Sequence, residues 1–318
     1  MNNTFIDTKL ILATPRGFCA GVERAVDIVN KAIDVFGSPI YVKHEVVHNK
    51  YVIEDLEKKG VSFIEDIEEV PENSILIYSA HGVSIKVKND AEKRNLKIFD
   101  ATCPLVTKVH LEVHKYSRLN TDVVLIGHKG HPEIEGTIGQ YKSSKGKIHL
   151  VESLNDISKL QIDNDHVAYV TQTTLSIDDT EGIILKLLEK YPHMQSPAKS
   201  DICYATQNRQ DAVKAILKYC DYLLVIGSVN SSNSRRLVEL ALKNNISSKL
   251  IDSKNDISLE ELQHKKNIGI TAGASAPQVL LDQVVNYLIE NGATLDSVKQ
   301  DIIIEDVTFS IPKELRDL

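Results

Sequence analysis

The sequence predicts an α/β protein built from three similar units, and three observations carry that expectation. Short β-branched runs alternate with helical periodicity along the chain, the pattern of parallel sheets joined by right-handed crossovers. Three cysteines, Cys19, Cys103 and Cys203, each open an amphipathic helical stretch and divide the chain into similar lengths. Polar clusters recur at matched distances beyond each of them, and self-similarity at a fixed period marks repeated units.

Residues 1–103 form the first expected unit. Cys19 is followed by the helical AGVERAVDIVNKA, then by the strand-like YVKHEVVHN ending near His48, the helical KYVIEDLEKKG, the strand-like ILIYSAHGVS ending at His81, and the helical IKVKNDAEKRN. Residues 104–200 form the second, with Cys103 at its start. After PLVTKVHLEVHKY come DVVLIGHKGHPE, reaching His131, then HVAYVTQTT, reaching Thr173, and the helical TEGIILKLLEKY, before the linker-like YPHMQSPAKS. Residues 201–287 form the third. Cys203 opens a helix in ATQNRQDAVKAIL, YLLVIGSVNSSNS ends near Ser231, SRRLVELALKNN and LEELQHK read as helices, NIGITAGAS ends at Ser275, and APQVLLDQVVNYLIENG closes the unit. In residues 288–318, DIIIEDVTFSIPKELRDL reads as one more strand and a polar end.

The register of the repeat is close. His48, His131 and Ser231 lie 29, 28 and 28 residues beyond their cysteines, and His81, Thr173 and Ser275 lie 62, 70 and 72 beyond. Open α/β sheets bind ligands outside the carboxyl ends of their strands. Three such units facing one another would bring their cysteines and polar turns to a common axis.

Composition narrows the classes. A chain of 318 residues exceeds one ordinary core, and 42% hydrophobic with 25% charged residues describes a globular protein. A net charge of −7 argues against a nucleic-acid backbone as the main partner. The N-terminus MNNTFIDTKL has neither a basic nor an apolar targeting region and no apolar run suffices to span a bilayer, so no membrane role and a cytoplasmic location are expected. Four scattered cysteines do not form a disulfide framework, and reduced thiols are expected.

A thiolate at a helix N-terminus is favoured by the helix dipole and by unpaired N–H groups. A single cysteine is more often a small core residue, and Cys220, outside the repeat in KYCDYLLVIG, is read that way. The repeated trio instead points to a joint metal site. Zinc accepts Cys₃His but usually draws on close pairs such as C-x₂-C, which this chain lacks. Iron–sulfur clusters commonly take four thiolates, so three would leave one iron open to substrate. Spacing alone leaves the metal undecided.

Around the cysteines, His48, His81 and His131 with Ser231, Ser232, Asn233 and Ser275 supply donors suited to a phosphate or diphosphate, several at strand-to-helix turns. Capping loops and ordinary histidines would look the same one at a time. Neither G-x-x-x-x-G-K-[ST] nor G-x-G-x-x-G occurs, so neither familiar nucleotide loop is indicated. Glu133 in GHKGHPEIEGT is the leading proton donor and Thr173 could orient the proton, against the alternative of an acidic residue merely favoured near a helix start.

The strings ATPRGFCAGVERA, HEVVHN, SAHGVS, DATCPLVTKVH, IGHKGHPEIEGT, TQTTLSIDDT, DICYATQNRQ, GSVNSSNSRRL and GITAGASAP closely resemble the 4-hydroxy-3-methylbut-2-enyl diphosphate reductase (LytB) family, from about residue 10 to residue 285. Gln278 departs from it where an acidic residue is expected. The resemblance implies three α/β domains in pseudo-threefold arrangement around one [4Fe-4S] cluster per chain, ligated by Cys19, Cys103 and Cys203, with the open iron taking the substrate hydroxyl. It implies that His48, His81, Ser231, Ser232, Asn233 and Ser275 hold the diphosphate beside His131, and that Glu133 delivers protons with help from Thr173. The implied reaction is the two-electron reductive dehydroxylation that ends the methylerythritol phosphate route to isoprenoids. It gives isopentenyl and dimethylallyl diphosphate, with electrons from reduced ferredoxin or flavodoxin. A redox-neutral hydro-lyase, a zinc module and a non-catalytic RNA-associated protein are the competing classes.

Overall fold

The computed structural model describes residues 5, 7–298 and 303–318. The chain runs β1 (Lys9–Leu12), α1 (Ala20–Phe36), β2 (Ile40–Lys43), α2 (Lys50–Lys58), β3 (Val61–Ile64), β4 (Ile75–Tyr78), α3 (Ile85–Lys93) and β5 (Lys97–Asp100). It continues as α4 (Pro104–Arg118), β6 (Asp122–Ile126), α5 (Pro132–Ile138), β7 (Ile148–Val151), α6 (Leu154–Lys159), β8 (Val167–Thr171) and α7 (Ile177–Lys190). The last stretch holds α8 (Tyr204–Leu217), β9 (Tyr222–Ile226), α9 (Ser232–Lys243), β10 (Ser247–Ile251), α10 (Leu259–Leu262), β11 (Asn267–Ala272), α11 (Gln278–Glu290), β12 (Thr294–Asp296) and α12 (Lys313–Arg316). The expected helices after the three cysteines begin at Ala20, Pro104 and Tyr204, each the residue next to its cysteine.

Among the described residues all strand pairs are parallel, so the α/β expectation holds. These strands form three sheets, ordered β3-β2-β4-β5, β7-β6-β8 and β10-β9-β11-β1-β12. In each, the chain leaves a central strand to one side and returns on the other, which creates a switch point between β2 and β4, β6 and β8, and β9 and β11. Loops after those strands are where such sheets bind ligands, and they are the loops carrying the predicted polar clusters. Strands β6, β8 and β9 are buried at every position, the signature of sheets covered on both faces.

Sheet membership is not contiguous in sequence. Strand β1, grouped with residues 1–103 by its position, pairs with β11 and β12. The reason lies in the repeat, because the strand ahead of each cysteine pairs with the strand ending in the second polar turn. Thus β1 pairs with β11 and β5 with β4, while Gln195, ahead of Cys203, bridges to Ala168 in β8. The last strand falls at Thr294–Asp296, earlier than DIIIEDVTFS suggests. Residues 303–312 adopt no strand and Ile304 is 83% exposed, while residues 301–302 lie outside the described residues.

Two compact units emerge. One comprises residues 1–20, 48–54 and 204–307, the other residues 21–47, 55–203 and 308–318. The first contains the five-stranded sheet, with Leu10, Leu224, Ile268 and Leu281 packed on one face and Ile11, Val213, Leu223 and Leu237 on the other. Cys220 joins this second cluster, 7% exposed, its thiol donating to the Ile216 carbonyl at 3.2 Å and pushed by burial up to about 12. That is a packing cysteine.

The other unit contains the remaining two sheets, with cores built on Leu76, Tyr78 and Leu96 and on Val124, Val151 and Leu187. Asn95 and Asn120 take left-handed backbone at the ends of α3 and α4, where asparagine is tolerated best after glycine. Gly82 (φ +76°) turns the chain after β4, and a Cβ there would stand 2.6 Å from the His110 ring.

Candidate functional site

Each cysteine is fixed by the same hydrogen bond. The Cys19 amide donates to the Ala274 carbonyl (3.2 Å), Cys103 to Ala80 (3.0 Å) and Cys203 to Thr173 (3.0 Å). The acceptor in every case lies in the polar turn that follows β11, β4 or β8. A strand-end bond steadies each of those turns in turn, from Gly273 to Ile226, Ala80 to Val46 and Gln172 to Ile126. The three cysteines are half-buried, none is in a disulfide, and each immediately precedes or caps a helix of 14 to 17 residues.

In the unit holding Cys103 and Cys203, contacts run continuously between them. Ala80, acceptor for Cys103, adjoins His81, whose ring meets His131 edge-on with centroids 5.5 Å apart. His131 caps α5, and its Nδ1 accepts from the Glu133 amide at 3.1 Å, so in the neutral ring Nε2 carries the proton. The Glu133 carboxylate accepts from the Thr173 amide (2.7 Å, Oε1) and hydroxyl (3.0 Å, Oε2), and the Thr173 carbonyl accepts from Cys203. Glu133 is 3% exposed. Burial raises its carboxyl to about 7, the two Thr173 bonds opposing the rise and the Asp201 charge adding to it. Desolvation wins because two hydrogen bonds do not replace the hydration of a buried anion.

The unit holding Cys19 gathers the second set. Ala274 accepts from Cys19 and donates to Asn233 Oδ1 at 2.8 Å. Next to it, the Ser275 hydroxyl donates to the His48 carbonyl at 2.9 Å and lies 3.4 Å from Ser231 Oγ. Ser231 caps α9, accepting from the Ser234 amide at 3.3 Å, and Ser232, 2% exposed, is the helix's first residue. Gly227 and Gly273 let this cap seat against the strand ends, since a Cβ on either would stand 2.2 or 2.0 Å from Ser234 Oγ. Asn233 is 3% exposed and its Nδ2 has no partner, so a buried amide donor awaits an acceptor. Such a group costs free energy unless a ligand or water satisfies it.

The second set can hold an anion on hydroxyl and amide donors. The first offers imidazole groups and a carboxyl group that is half-protonated near neutrality and can supply a proton. Among the described residues no three His, Cys, Asp or Glu side chains surround a single point as ligands of one ion. Sequence reasoning missed Arg24, Lys108 and Arg209, which grip the segments leading into the cysteines. Extending the repeat alignment to the fifth or sixth residue beyond each cysteine would have found them.

The family model described as LytB protein matches residues 10–289. The chain belongs to the LytB family. Among LytB relatives, the 4-hydroxy-3-methylbut-2-enyl diphosphate reductase of Stenotrophomonas maltophilia (strain K279a) is 56% identical, covering 96% of this chain and 98% of the relative. The reductase of the same name from Pseudomonas entomophila (strain L48) is 57% identical, over 97% and 98%. The solved E-1-hydroxy-2-methyl-but-2-enyl-4-diphosphate reductase from Plasmodium falciparum superposes with a TM-score of 0.92 at 40% identity, covering 98% of this chain and 97% of that one. A second solved structure, that of (E)-4-hydroxy-3-methyl-but-2-enyl diphosphate reductase, the terminal enzyme of the non-mevalonate pathway, superposes with a TM-score of 0.64 at 32% identity, covering 89% of this chain and 99% of that one. No described helix is long and apolar enough to cross a membrane.

Proposed function

We propose that this chain reduces (E)-4-hydroxy-3-methylbut-2-enyl diphosphate to isopentenyl and dimethylallyl diphosphate in the cytoplasm, drawing electrons from reduced ferredoxin or flavodoxin. The observation that carries this reading is the Glu133 carboxyl, buried, raised to about 7 and joined by contacts to the turns that fix Cys103 and Cys203. Family membership and the names of the relatives support the substrate.

Cys19, Cys103 and Cys203 would hold a [4Fe-4S] cluster. Three unbridged, half-buried thiols at helix starts, with their amides pinned, have the donor chemistry such a cluster needs. When bound, the cluster supplies electrons and a Lewis-acidic iron, which no side chain offers.

The protein's own residues do the rest. The reaction consumes two electrons and two protons, breaks the allylic C–O bond, releases water and places a hydrogen on carbon. Hydroxide leaves poorly, so one proton must reach that oxygen as the bond breaks, and protonated Glu133 Oε is the group for it. Thr173 holds the carboxyl through two donors and so limits how far its pKa climbs. Asn233 Nδ2, Ser231, Ser232, Ser275, His48 and His81 would bind the diphosphate, with His131 Nε2 directed by its cap bond. Within the Cys19 unit the Ser231 cap and the Asn233 and Ser275 bonds are already formed, which limits the reorganisation those donors need.

Anaerobic iron and sulfide analysis with reductant-dependent conversion of the allylic diphosphate, by wild type and Glu133→Gln, tests the reading. Four irons per chain, turnover requiring reductant, and loss of turnover in the variant are expected. Colourless protein, or turnover without reductant, would overturn it.

A further inference from the structure

Beyond the site lies a second repeat, made of cations. Arg24, five residues after Cys19, donates from Nη1 to the Thr102 carbonyl (3.1 Å) and from Nη2 to the Asp100 carbonyl (3.2 Å), the segment entering Cys103. Lys108, five residues after Cys103, donates to the carbonyls of Lys199 (2.8 Å) and Ser200 (3.1 Å), the segment entering Cys203, and pairs with Asp201 (2.9 Å). Arg209, six residues after Cys203, donates to the carbonyls of Gly17 (2.9 Å from Nε and 2.6 Å from Nη2) and Phe18 (3.0 Å), the segment entering Cys19. The helix opened by each cysteine therefore carries the cation that holds the approach to the next, and the third returns to the first.

Packing alone does not demand this arrangement. Arg209 is wholly buried, and burying a guanidinium is costly without full pairing. It is paired with Glu305 at 2.9 Å, and Asn208 donates to the same carboxylate at 2.9 Å. The chain after β12 thus serves one clamp through Glu305 and another through the Ser310 carbonyl, which accepts from Arg24 Nε at 2.8 Å. The gripped carbonyls lie at the last residue of β5 and just after it, beyond the end of β1, and in the segment before Cys203 that belongs to none of the strands. Each cation accordingly ties down backbone carbonyls in the segment that leads into a cysteine.

We propose that Arg24, Lys108 and Arg209 are positioning residues that fix the backbone leading into Cys103, Cys203 and Cys19 respectively, and whose charges favour reduction of the group those thiolates hold. The second half of this proposal rests on the cluster reading; the first does not. A cluster that gains an electron gains negative charge, and a fixed cation beside its ligands favours that form.

Two measurements on the full-length protein test it. Peptide-resolved hydrogen exchange on Arg24→Gln should show exchange at least about tenfold faster at the Ala101–Cys103 amides, and Lys108→Met the same at the Cys203 amide, as expected for losing charge-assisted bonds. Each variant should leave the approach to its own helix at wild-type rates. Arg209→Gln should act likewise on Gly17 and Cys19; because its burial makes misfolding a risk, Arg24 and Lys108 decide the question. In protein holding its full iron content, both neutral variants should lower the midpoint potential and Arg24→Lys should restore it. Faster exchange confined to the substituted residue's own helix, or spread evenly through the chain, overturns the positioning role. Unchanged potentials overturn the electrostatic one. Wild type without iron refutes the cluster reading while leaving the exchange result to decide the clamp.

Discussion

Replacing Glu133 with glutamine tests the central electrostatic claim without needing turnover. The carboxyl stands at about 7 in the fold against an ordinary 4.5, chiefly because burial penalises its charged form. Between those values the native state holds a proton that the unfolded chain has released, so stability falls as pH rises through the window. Above about pH 7 the full penalty applies, roughly 3 kcal/mol at 1.36 kcal/mol per pKa unit. The substituted amide would not titrate, and its oxygen can still accept from the Thr173 amide. The other titrating groups are common to both proteins, and among them Asp201 is the one whose charge acts on Glu133.

Denaturant unfolding of both proteins, in the same cluster state and at several pH values from 4 to 8, gives the difference directly. The variant should gain on wild type by up to about 3 kcal/mol across that range, most of it between pH 4.5 and 7. A flat difference, or one that shrinks with rising pH, would show that the Glu133 carboxyl ionises normally, and the argument for it as the acid would fail.

Thr173→Val removes the hydroxyl bond to Glu133 Oε2 and keeps the amide bond to Oε1, so the carboxyl should rise further and the alkaline fall of kcat should move to higher pH; pH–rate profiles read the shift. Asn233→Asp keeps the acceptor for the Ala274 amide but replaces the buried donor with an anion, so the fold should persist while KM for the diphosphate rises about 10- to 100-fold, the worth of a hydrogen bond to a charged group. Unchanged KM would remove Asn233 from the anion site. Cys220→Ala should leave iron content at wild-type level and cost about 1 kcal/mol by thermal unfolding, the scale of a small core deletion, whereas Cys103→Ser should lose iron.

The element pattern was legible because helical and strand periods are local, and the cysteine repeat located the turns because all three obey one spacing. Pairing was less legible. Lys9–Leu12 reads as a buried parallel strand, but nothing within four residues says that its neighbours are β11 and β12, more than 250 residues away. The tail misled for a related reason, since the apolar and β-branched residues of DIIIEDVTFS favour a strand only if an edge is available. Glu133 was visible as a candidate, yet its raised carboxyl depends on burial, which spacing does not encode. Arg24, Lys108 and Arg209 look like the basic residues of any exposed helix face until their acceptors are seen.

The recurrent amide bond explains why the polar turns and the cysteines repeat in step. Each of the three cysteines is held against the motion of its own loop by the carbonyl of a turn that also carries a proposed binding or catalytic side chain. Ala80 adjoins His81, Ala274 adjoins Ser275, and Thr173 supplies both the carbonyl for Cys203 and the hydroxyl for Glu133. A shift in any one turn therefore moves a cysteine and a polar donor together. Coupling of that kind favours a repeat in which neither half can drift alone, and it ties the proposed acid, Glu133 in α5, to the turn that also holds Cys203.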